Sequence, residues 1–327
     1  MTTARELAMR GLSVSLFEKN KTGGESSWAA GGILSSMRPW SEDPYSSELS
    51  KLGRECYADF VEELKQQTGI DSEYYQSGLL MVNKTDVEQS RQWADKNKVF
   101  IVENYKDYPM NMRIPTNSIF LPEIAQVRIP RLLKALRASL LKLGVTIFEN
   151  SAVTGLQLDK RRCKSVQLGS KKYYADLFII SAGVWCEQIL GSNNCGIKIK
   201  PVMGQILCVK FAEQQLETMV LDGGHYFIPR KDGHVLIGST MEDVGFAKDT
   251  TQSARNDLME WACMLWPDIA RAEFFKHWSG LRPATDNGKP YLGQLKDYEN
   301  VYINAGHFRK GILQAPVCAR KIAEMVC

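Results

Sequence analysis

The residues of this chain whose types suit nucleotide binding lie near its beginning. Glu18 ends a short apolar segment, where a dinucleotide-binding fold keeps the acid that accepts hydrogen bonds from an adenosine ribose. Residues 22–34, TGGESSWAAGGIL, follow it and are rich in Gly, Ser and Ala. Small residues let backbone N–H groups approach a phosphate closely, and hydroxyl groups add donors. Such a loop alone is more often a flexible connector, but its place directly after Glu18 favours nucleotide binding.

A second candidate site surrounds Arg282, in the segment GLRP. A guanidinium group offers two parallel donors that match a carboxylate, and Pro283 restricts the backbone beside it. We expect Trp278 to pack beneath this arginine. A structural arginine paired with Asp286 explains the same residues, and the segment alone does not decide between the two.

The elements that would position Glu18 are a helix and a strand. Residues 2–10 have the pattern of an amphipathic helix that Gly11 ends, and the apolar residues of 12–17 predict a short buried strand. These are the helix and second strand of a dinucleotide-binding βαβ unit, whose glycine fingerprint precedes the acid by about 20 residues. We therefore expect the first strand and the G-x-G-x-x-G fingerprint at or before residue 1. A start set at an internal methionine and a real loss of the strand both account for this, and we favour the first.

Helices and strands alternate along the rest of the chain. Residues 70–124 predict a sheet-rich region with one helix, and residues 198–246 predict antiparallel strands with a hairpin turn at Asp232-Gly233. The apolar segment that ends at Gly183 predicts a strand, and Gly183 is explained equally by a plain turn and by a close approach of the backbone to a cofactor. The predicted helices cover 45–67, 85–97, 251–266 and 312–326, with one more that Pro130 begins and Gly144 closes.

The composition of the chain argues against several classes of function. The chain has 327 residues, too many for one simple core, with 44% hydrophobic and 24% charged residues. The net charge of +4 is scattered, which argues against a nucleic-acid partner. The eight Cys include no C-x-x-C pair, no signal segment opens the chain, and the four His have no metal-ligand spacing. We expect a cytoplasmic protein with free thiols, no metal and no transmembrane segment.

Six segments resemble those of the FAD-dependent amine oxidases of the D-amino acid oxidase family. The resemblance runs from residue 2 to the end in the expected order, and the last three segments are specific rather than compositional. The segments are ESSWAAGGIL (25–34), ADLFIISAGVW (175–185), PVMGQIL (201–207), YFIPRKDGHVLIGSTMEDVGF (226–246), WSGLRPATDNGKPYLG (278–293) and AGHFRKGILQAP (305–316).

The resemblance implies an α/β fold with two discontinuous domains. One is a Rossmann-like FAD-binding domain whose first strand is missing, and the other is a substrate domain built on an antiparallel sheet. The implied FAD-binding domain comprises 1–70, 125–197 and 280–327, and the implied substrate domain comprises 71–124 and 198–279.

The resemblance also implies how a substrate is bound. Arg282 would bind a carboxylate, Tyr226 would add its phenol to that carboxylate, Arg309 would lie over the substrate, and Met241 would line a small pocket. A core tyrosine with a satisfied hydroxyl and a core-filling methionine are the alternatives for Tyr226 and Met241. No residue is expected to act as a catalytic acid or base, because the flavin carries the chemistry.

Further residues would contact FAD. This chain departs from the family pattern at Lys310, where the family usually has Asn. The lysine would either add positive charge near the flavin or point to solvent. Gly311 would open the last helix, whose free N–H groups stabilise negative charge on the reduced flavin. The implied contacts are Glu18, Lys19, Ser26, Ser27, Gly31, Gly32, Ile33, Val153, Gly183, Gly306, His307, Phe308, Arg309, Lys310, Gly311, Ile312 and Leu313.

The implied reaction is the oxidative deamination of a small amino acid, with glycine as the first choice. Hydride transfer to flavin N5 would be followed by reduction of molecular oxygen to hydrogen peroxide, in the service of thiamine thiazole synthesis. A D-amino acid dehydrogenase with a quinone acceptor and a truncated, non-catalytic flavoprotein are the alternatives. The family also suggests a homo-oligomer, a dimer or a tetramer.

Overall fold

The computed structural model describes residues 1–191 and 195–327. Helices and strands alternate along them, and the helices pack against several separate sheets. The helices are α1 (Thr2–Met9), α2 (Pro44–Thr68), α3 (Lys84–Asn97), α4 (Ile129–Lys142), α5 (Cys186–Leu190), α6 (Gln252–Leu265) and α7 (Gly311–Val326). The strands are β1 (Ser15–Phe17), β2 (Tyr75–Gln76), β3 (Leu79–Met81), β4 (Val102–Glu103), β5 (Ile119–Leu121), β6 (Ala125–Gln126), β7 (Thr146–Phe148), β8 (Gly155–Asp159), β9 (Arg162–Leu168), β10 (Lys171–Tyr174), β11 (Phe178–Ile180), β12 (Ile199–Lys210), β13 (Met219–Asp222), β14 (His225–Pro229), β15 (His234–Gly238), β16 (Glu273–Thr285), β17 (Tyr291–Gln294) and β18 (Val301–Ala305).

The largest sheet has eight strands in the order β16-β12-β15-β14-β13-β3-β5-β4. Its strand β12 is buried on both faces, because successive side chains of a strand point to opposite sides. Leu207 lies in an apolar cluster with Leu258 and Trp261 of α6, whereas its neighbour Ile206 lies in a different cluster with Tyr226 of β14. Helix α6 therefore covers one face, and the opposite face carries Tyr226.

The other sheets are small. Strand β1 pairs in parallel with β7, and β11 pairs in parallel with β18, which also pairs with β17. Strands β8, β9 and β10 form an antiparallel meander. Helices α1 and α7 pack together, and Thr3 of α1 accepts a hydrogen bond from Asn304 of β18 at 3.1 Å. Parallel pairs packed with helices are typical of an α/β domain.

Several predicted elements are present within a few residues of their expected bounds. Helices α2, α3, α4, α6 and α7 are those predicted, and Gly11 and Gly144, with φ of +84° and +74°, follow α1 and α4 as helix-ending glycines. The β14–β15 hairpin flanks the Asp232-Gly233 turn, where Gly233 has φ of +84°. Local turn and capping chemistry suffices to specify these elements.

Other elements differ from the prediction. Strand β1 is short and only half-buried rather than buried, because it has a single neighbouring strand among the described residues. The segment predicted as one strand over 173–183 is divided between β10 and β11, which belong to different sheets. Strand β16, the longest of the described residues, was not predicted. Its first four residues, 273–276, are exposed on both faces, so this part of its sequence lacks the alternation that marks a half-buried strand.

Candidate functional site

The first part of the candidate site lies where β14, β15 and β16 meet the loop after β15. Arg282 stands opposite Val202 in the β12–β16 pairing, and Tyr226 stands opposite Gly238 in the β14–β15 pairing. The guanidinium of Arg282 donates to Ser239 Oγ at 2.7 Å and to the carbonyl oxygens of Met203 at 3.2 Å and Thr240 at 3.1 Å. These acceptors are uncharged and hold the group in place. Asp286, the alternative partner, is not among them.

Arg309 lies in the same region and has weak partners. It donates to the Sδ atom of Met37 at 3.4 Å and to that of Met241 at 3.5 Å, and its buried Nε atom has no hydrogen-bond partner in the described part of the chain. Thioether sulfur is a weak acceptor. The guanidinium of Arg309 is therefore available to a stronger acceptor, such as a carboxylate.

The two guanidinium groups produce an excess of positive charge. Neither Arg282 nor Arg309 forms an ion pair with a carboxylate within the described residues. Burial and the nearby Arg282 lower the pKa of Arg309 to about 10, and burial also lowers the pKa of Arg282. Tyr226, 6% exposed, opposes both shifts through its proximity. A cation whose pKa is lowered by burial and by a second nearby cation favours the binding of an anion beside it.

Met241 and Met37 lie at the edge of this region. Met241 is 64% exposed, so it borders the site rather than filling a core, and its contact with Arg309 places it beside the cation. Met37 was not predicted, and nothing in its sequence neighbourhood distinguishes it from a loop methionine. Both side chains narrow the space next to the guanidinium.

The glycine-rich loop of residues 22–34 packs tightly between strands. Ser26 Oγ donates to the carbonyl of Leu281, and Gly31 and Gly32 allow close approach, since a Cβ at Gly31 would lie 2.5 Å from Ile228 Cδ1. Gly32 has φ of +87° and its carbonyl accepts from Val127 N at 2.9 Å. These glycines are thus required by packing of the loop, whatever it binds.

A buried arginine that was not predicted holds this loop. Arg230, 4% exposed, donates to the carbonyl of Gly31 and to Gln126 Oε1, each at 2.6 Å, and to the carbonyl of Val127 at 3.3 Å. Burial lowers the pKa of Arg230 to about 10. A guanidinium can satisfy several carbonyl oxygens at once, which explains an arginine here. Its place at the end of a predicted hairpin strand gave no sign of this role.

The residues predicted near an adenosine lie at the end of β1. Glu18 Oε1 accepts from the backbone N–H of Asn20 at 3.0 Å. Lys19 Nζ lies 3.2 Å from the ring centroid of Trp185 and 3.4 Å from Glu25 Oε1. The side chain of Lys19 therefore links β1 to the segment after Gly183. Val153 and Phe17 both pack against the apolar cluster around β11 and β18.

The loop before α7 brings a second set of predicted residues to the site. Gly306 and Phe308 have positive φ of +81° and +50°, and Phe308 N donates to the carbonyl of Pro283 at 3.0 Å. His307 lies between Gln314 Oε1 at 2.9 Å and Asn304 Oδ1 at 2.7 Å, and burial lowers its pKa. Leu313 is buried in a core cluster and Ile312 packs against the same cluster, so the core holds both side chains.

These residues suit the binding of FAD. A Cβ built at Gly183, which has φ of +56°, would meet no atom within 4 Å, so there is room beside that backbone. Helix α7 has no side-chain cap at its N-terminus, which leaves its first N–H groups available for negative charge. Glu18 and the loop of residues 22–34 lie at the end of β1, as nucleotide binding requires. Ser27 and Ile33 belong to that loop, and Ile33 bridges to Gln126.

One sequence-based expectation about this region is wrong. Trp278 does not pack beneath Arg282; its ring lies 5.7 Å from that of Trp28, and its Nε1 donates to the carbonyl of Ala29 at 3.2 Å. Four residues along an extended strand separate the two side chains too far for stacking. For Lys310 the sequence left two alternatives, charge near the flavin and a side chain in solvent. The structure disfavours the second, because the Nζ atom lies 3.4 Å from Glu42 Oε1 with only 12% of the side chain exposed.

Comparison with known proteins identifies relatives over the whole chain. The glycine oxidase of Pseudomonas aeruginosa is 35% identical over 332 residues, which cover 100% of this chain and 91% of that protein. The bifunctional protein ThiO/ThiG of Trichormus variabilis is 26% identical over all of this chain and 51% of its own length. The crystal structure of glycine oxidase from Geobacillus kaustophilus matches with a TM-score of 0.91 at 26% identity, over 99% of this chain and 90% of that one.

These matches confirm the predicted α/β fold class. No helix among residues 1–191 and 195–327 is both long and apolar enough to span a membrane. The FAD dependent oxidoreductase family matches residues 1–325. With a family match of that length and relatives of such similarity, this chain is a member of the FAD dependent oxidoreductase (DAO) family.

Proposed function

We propose that this chain is an FAD-dependent amino acid oxidase whose substrate is glycine. The observation that carries the proposal is the pair of guanidinium groups, Arg282 and Arg309, neither of which is paired with a carboxylate in the described structure. An amino acid supplies the missing carboxylate. The names of the similar glycine oxidases support the choice of substrate.

The surroundings of Arg309 favour a small substrate. The Sδ atoms of Met37 and Met241 both contact its guanidinium, so a side chain on the substrate Cα would compete with them for space. Glycine has no such side chain. The hydroxyl of Tyr226 is a further donor for the substrate carboxylate, as the family resemblance implies.

The residues of the chain bind and orient the substrate. Arg282 and Arg309 hold its carboxylate, and the charge-assisted hydrogen bonds fix the direction in which Cα points. Bound FAD supplies the hydride acceptor. Because the cationic cluster disfavours an ammonium group, it favours the amine in its neutral form, and no general base is required. The imine product and water give glyoxylate and ammonia, while oxygen is reduced to hydrogen peroxide.

The proposed cofactor residues are those predicted from the sequence. Glu18 and Lys19 would bind the adenosine, and Val153 would contact the adenine. The loop with Ser26, Ser27, Gly31, Gly32 and Ile33 would run past the pyrophosphate and the isoalloxazine ring of the flavin. Gly183 and the loop of residues 306–313 would contact the flavin. The proposed FAD-binding domain comprises 1–70, 125–197 and 280–327, and the substrate domain 71–124 and 198–279. A homo-oligomer, a cytoplasmic location and a role in thiamine thiazole synthesis stay predictions.

A visible absorption spectrum of the purified chain, before and after addition of glycine in the absence of air, tests the proposal. We expect flavin bands that bleach with glycine and recover, with release of peroxide, when air is admitted. Bleaching that only a quinone reverses would indicate a dehydrogenase instead. A chain that retains no flavin after incubation with FAD and removal of the unbound cofactor would refute the proposed oxidase for this polypeptide.

A further inference from the structure

A buried ion pair joins two loops that border the candidate site. Lys310 Nζ lies 3.4 Å from Glu42 Oε1, and the two side chains are 12% and 5% exposed. Lys310 directly precedes α7, and Glu42 lies two residues before α2. Glu42 Oε1 also accepts from Ser50 Oγ at 3.4 Å, whereas its buried Oε2 has no hydrogen-bond partner in the described structure. The pair is therefore enclosed but incompletely hydrogen-bonded.

Such a pair is a poor source of stability. Removing two charges from water costs about as much as their attraction returns, unless every remaining polar atom is satisfied. The unpartnered Oε2 atom of Glu42 shows that this condition is not met. A buried pair of this kind is better explained by the position that it imposes on the segments it joins.

The segment that carries Glu42 is fixed at a second point. We call residues 35–43 the strap. Arg38 of the strap forms two hydrogen bonds with Asp86 of α3, from Nε to Oδ1 at 2.9 Å and from Nη2 to Oδ2 at 3.2 Å. Asp86 is 3% exposed. The strap is thus tied to α3 through Arg38 and to the loop before α7 through Glu42.

These ties close a ring of contacts around Arg309. Met37 of the strap contacts the guanidinium of Arg309 at 3.4 Å, and Arg309 is the chain neighbour of Lys310. The ring runs from Arg309 to Lys310, across the ion pair to Glu42, back along the strap to Met37, and across to Arg309. Among the described residues, the ion pair is the stronger of the two contacts that form this ring, since the sulfur contact is weak.

We propose that the Lys310–Glu42 ion pair is a positioning device that holds Met37 and Arg309 in the geometry that binds the substrate carboxylate. This inference rests on the proposed function, because it assigns Arg309 to the carboxylate. Lys310 and Glu42 are positioning residues that act through the strap. The positive charge of Lys310 is compensated by Glu42, so its contribution is the placement of its neighbour.

The test compares two double variants with the parent chain. Lys310→Met with Glu42→Gln removes the buried pair without leaving a lone buried charge. Lys51→Met with Glu55→Gln removes an exposed pair of the same residue types, which lie 3.9 Å apart on α2, and serves as the matched control. The measurements are hydrogen exchange of the strap amides, the melting temperature, and the affinity for acetate by calorimetry.

For the Lys310/Glu42 variant we expect exchange of the strap to be about tenfold faster, from the loss of local protection. We expect acetate affinity to fall about tenfold, which corresponds to about 1.4 kcal/mol, with a melting temperature close to that of the parent. The control variant should match the parent in all three measurements.

Two results would overturn the proposal. Strap exchange equal to that of the parent would show that the pair does not hold the strap. Faster exchange with unchanged acetate affinity would show that the strap does not position Arg309. If the parent itself fails to bind acetate, the proposed carboxylate site fails and this inference fails with it, a result that the parent measurement alone identifies.

Discussion

Replacing Gly204 by alanine is expected to displace Arg282 without adding any group that contacts the substrate directly. A Cβ at this position would lie less than 3.0 Å from three guanidinium atoms of Arg282, whereas ordinary contact begins near 3.4 Å. The guanidinium is the end of a flexible side chain, so it moves rather than the strand. It then loses its bonds to Ser239 Oγ, Met203 O and Thr240 O, which measure 2.7, 3.2 and 3.1 Å.

A displacement of about 1 Å in a binding group costs roughly 10²-fold in activity, or about 2.7 kcal/mol. We therefore expect the KM for glycine to rise about 100-fold in Gly204→Ala, with a loss of stability of about 1 kcal/mol from overpacking. Peroxide release measured against glycine concentration gives the first quantity, and urea unfolding gives the second. Gly224→Ala is the matched control, because a Cβ there would meet no atom within 4 Å.

The reasoning is refuted if Gly204→Ala is folded and its KM stays within about twofold of the parent value, since a guanidinium displaced this far cannot keep its bidentate geometry. Equal losses in Gly204→Ala and Gly224→Ala would also contradict it, because they would indicate a general effect of replacing glycine by alanine in this part of the protein.

Three further outcomes follow from the site. Tyr226→Phe should raise the KM for glycine about tenfold in steady-state assays, since one hydrogen bond to a charged group is lost, and an unchanged KM would remove Tyr226 from the carboxylate site. Arg230→Met should lower the free energy of unfolding in urea by about 3 kcal/mol, because the carbonyls of Gly31 and Val127 and the amide of Gln126 lose their donor; a loss below about 1 kcal/mol would show that water replaces it. Burial and Arg282 lower the pKa of Arg309 to about 10, so its charge is present below that pH and is lost above it. The affinity for acetate, which does not titrate in this range, should therefore fall as the pH is raised through about 10, and a constant affinity in calorimetry would contradict the assignment.

Local chemistry made much of the fold predictable from the sequence. The β14–β15 hairpin follows from the Asp232-Gly233 turn between two apolar segments, and α4 follows from Pro130 and Gly144 at its ends. Strand β16 was missed because its first four residues, 273–276, are exposed on both faces and need no apolar alternation. Its pairing with β12 depends on the residues of β12, and the sequence pattern of β16 alone carries no information about that partner.

The residues of the candidate site that lie in recognisable sequence motifs could be predicted from the sequence. Arg282, Arg309, Tyr226 and Met241 come together in the structure as the family resemblance implied, although their binding roles stay predictions. The Lys310–Glu42 pair could not be predicted, because the two residues are far apart in sequence and each by itself resembles an exposed charge. Long-range pairs of this kind are determined by the packing of α2 and α7.

The course of β16 has a consequence for how a substrate enters. This strand is continuous from Glu273 to Thr285 and pairs with β12 along its length, from Lys210 to Ile199. It passes through position 280, where the proposed domains meet, and its residues 281–285 pair with residues 199–203 of β12, which lies wholly in the proposed substrate domain. Rotation of one domain away from the other would have to break this ladder of hydrogen bonds. Under the proposed function, we therefore expect a small substrate to enter past the exposed side chain of Met241, at the edge of the site, without separation of the two proposed domains.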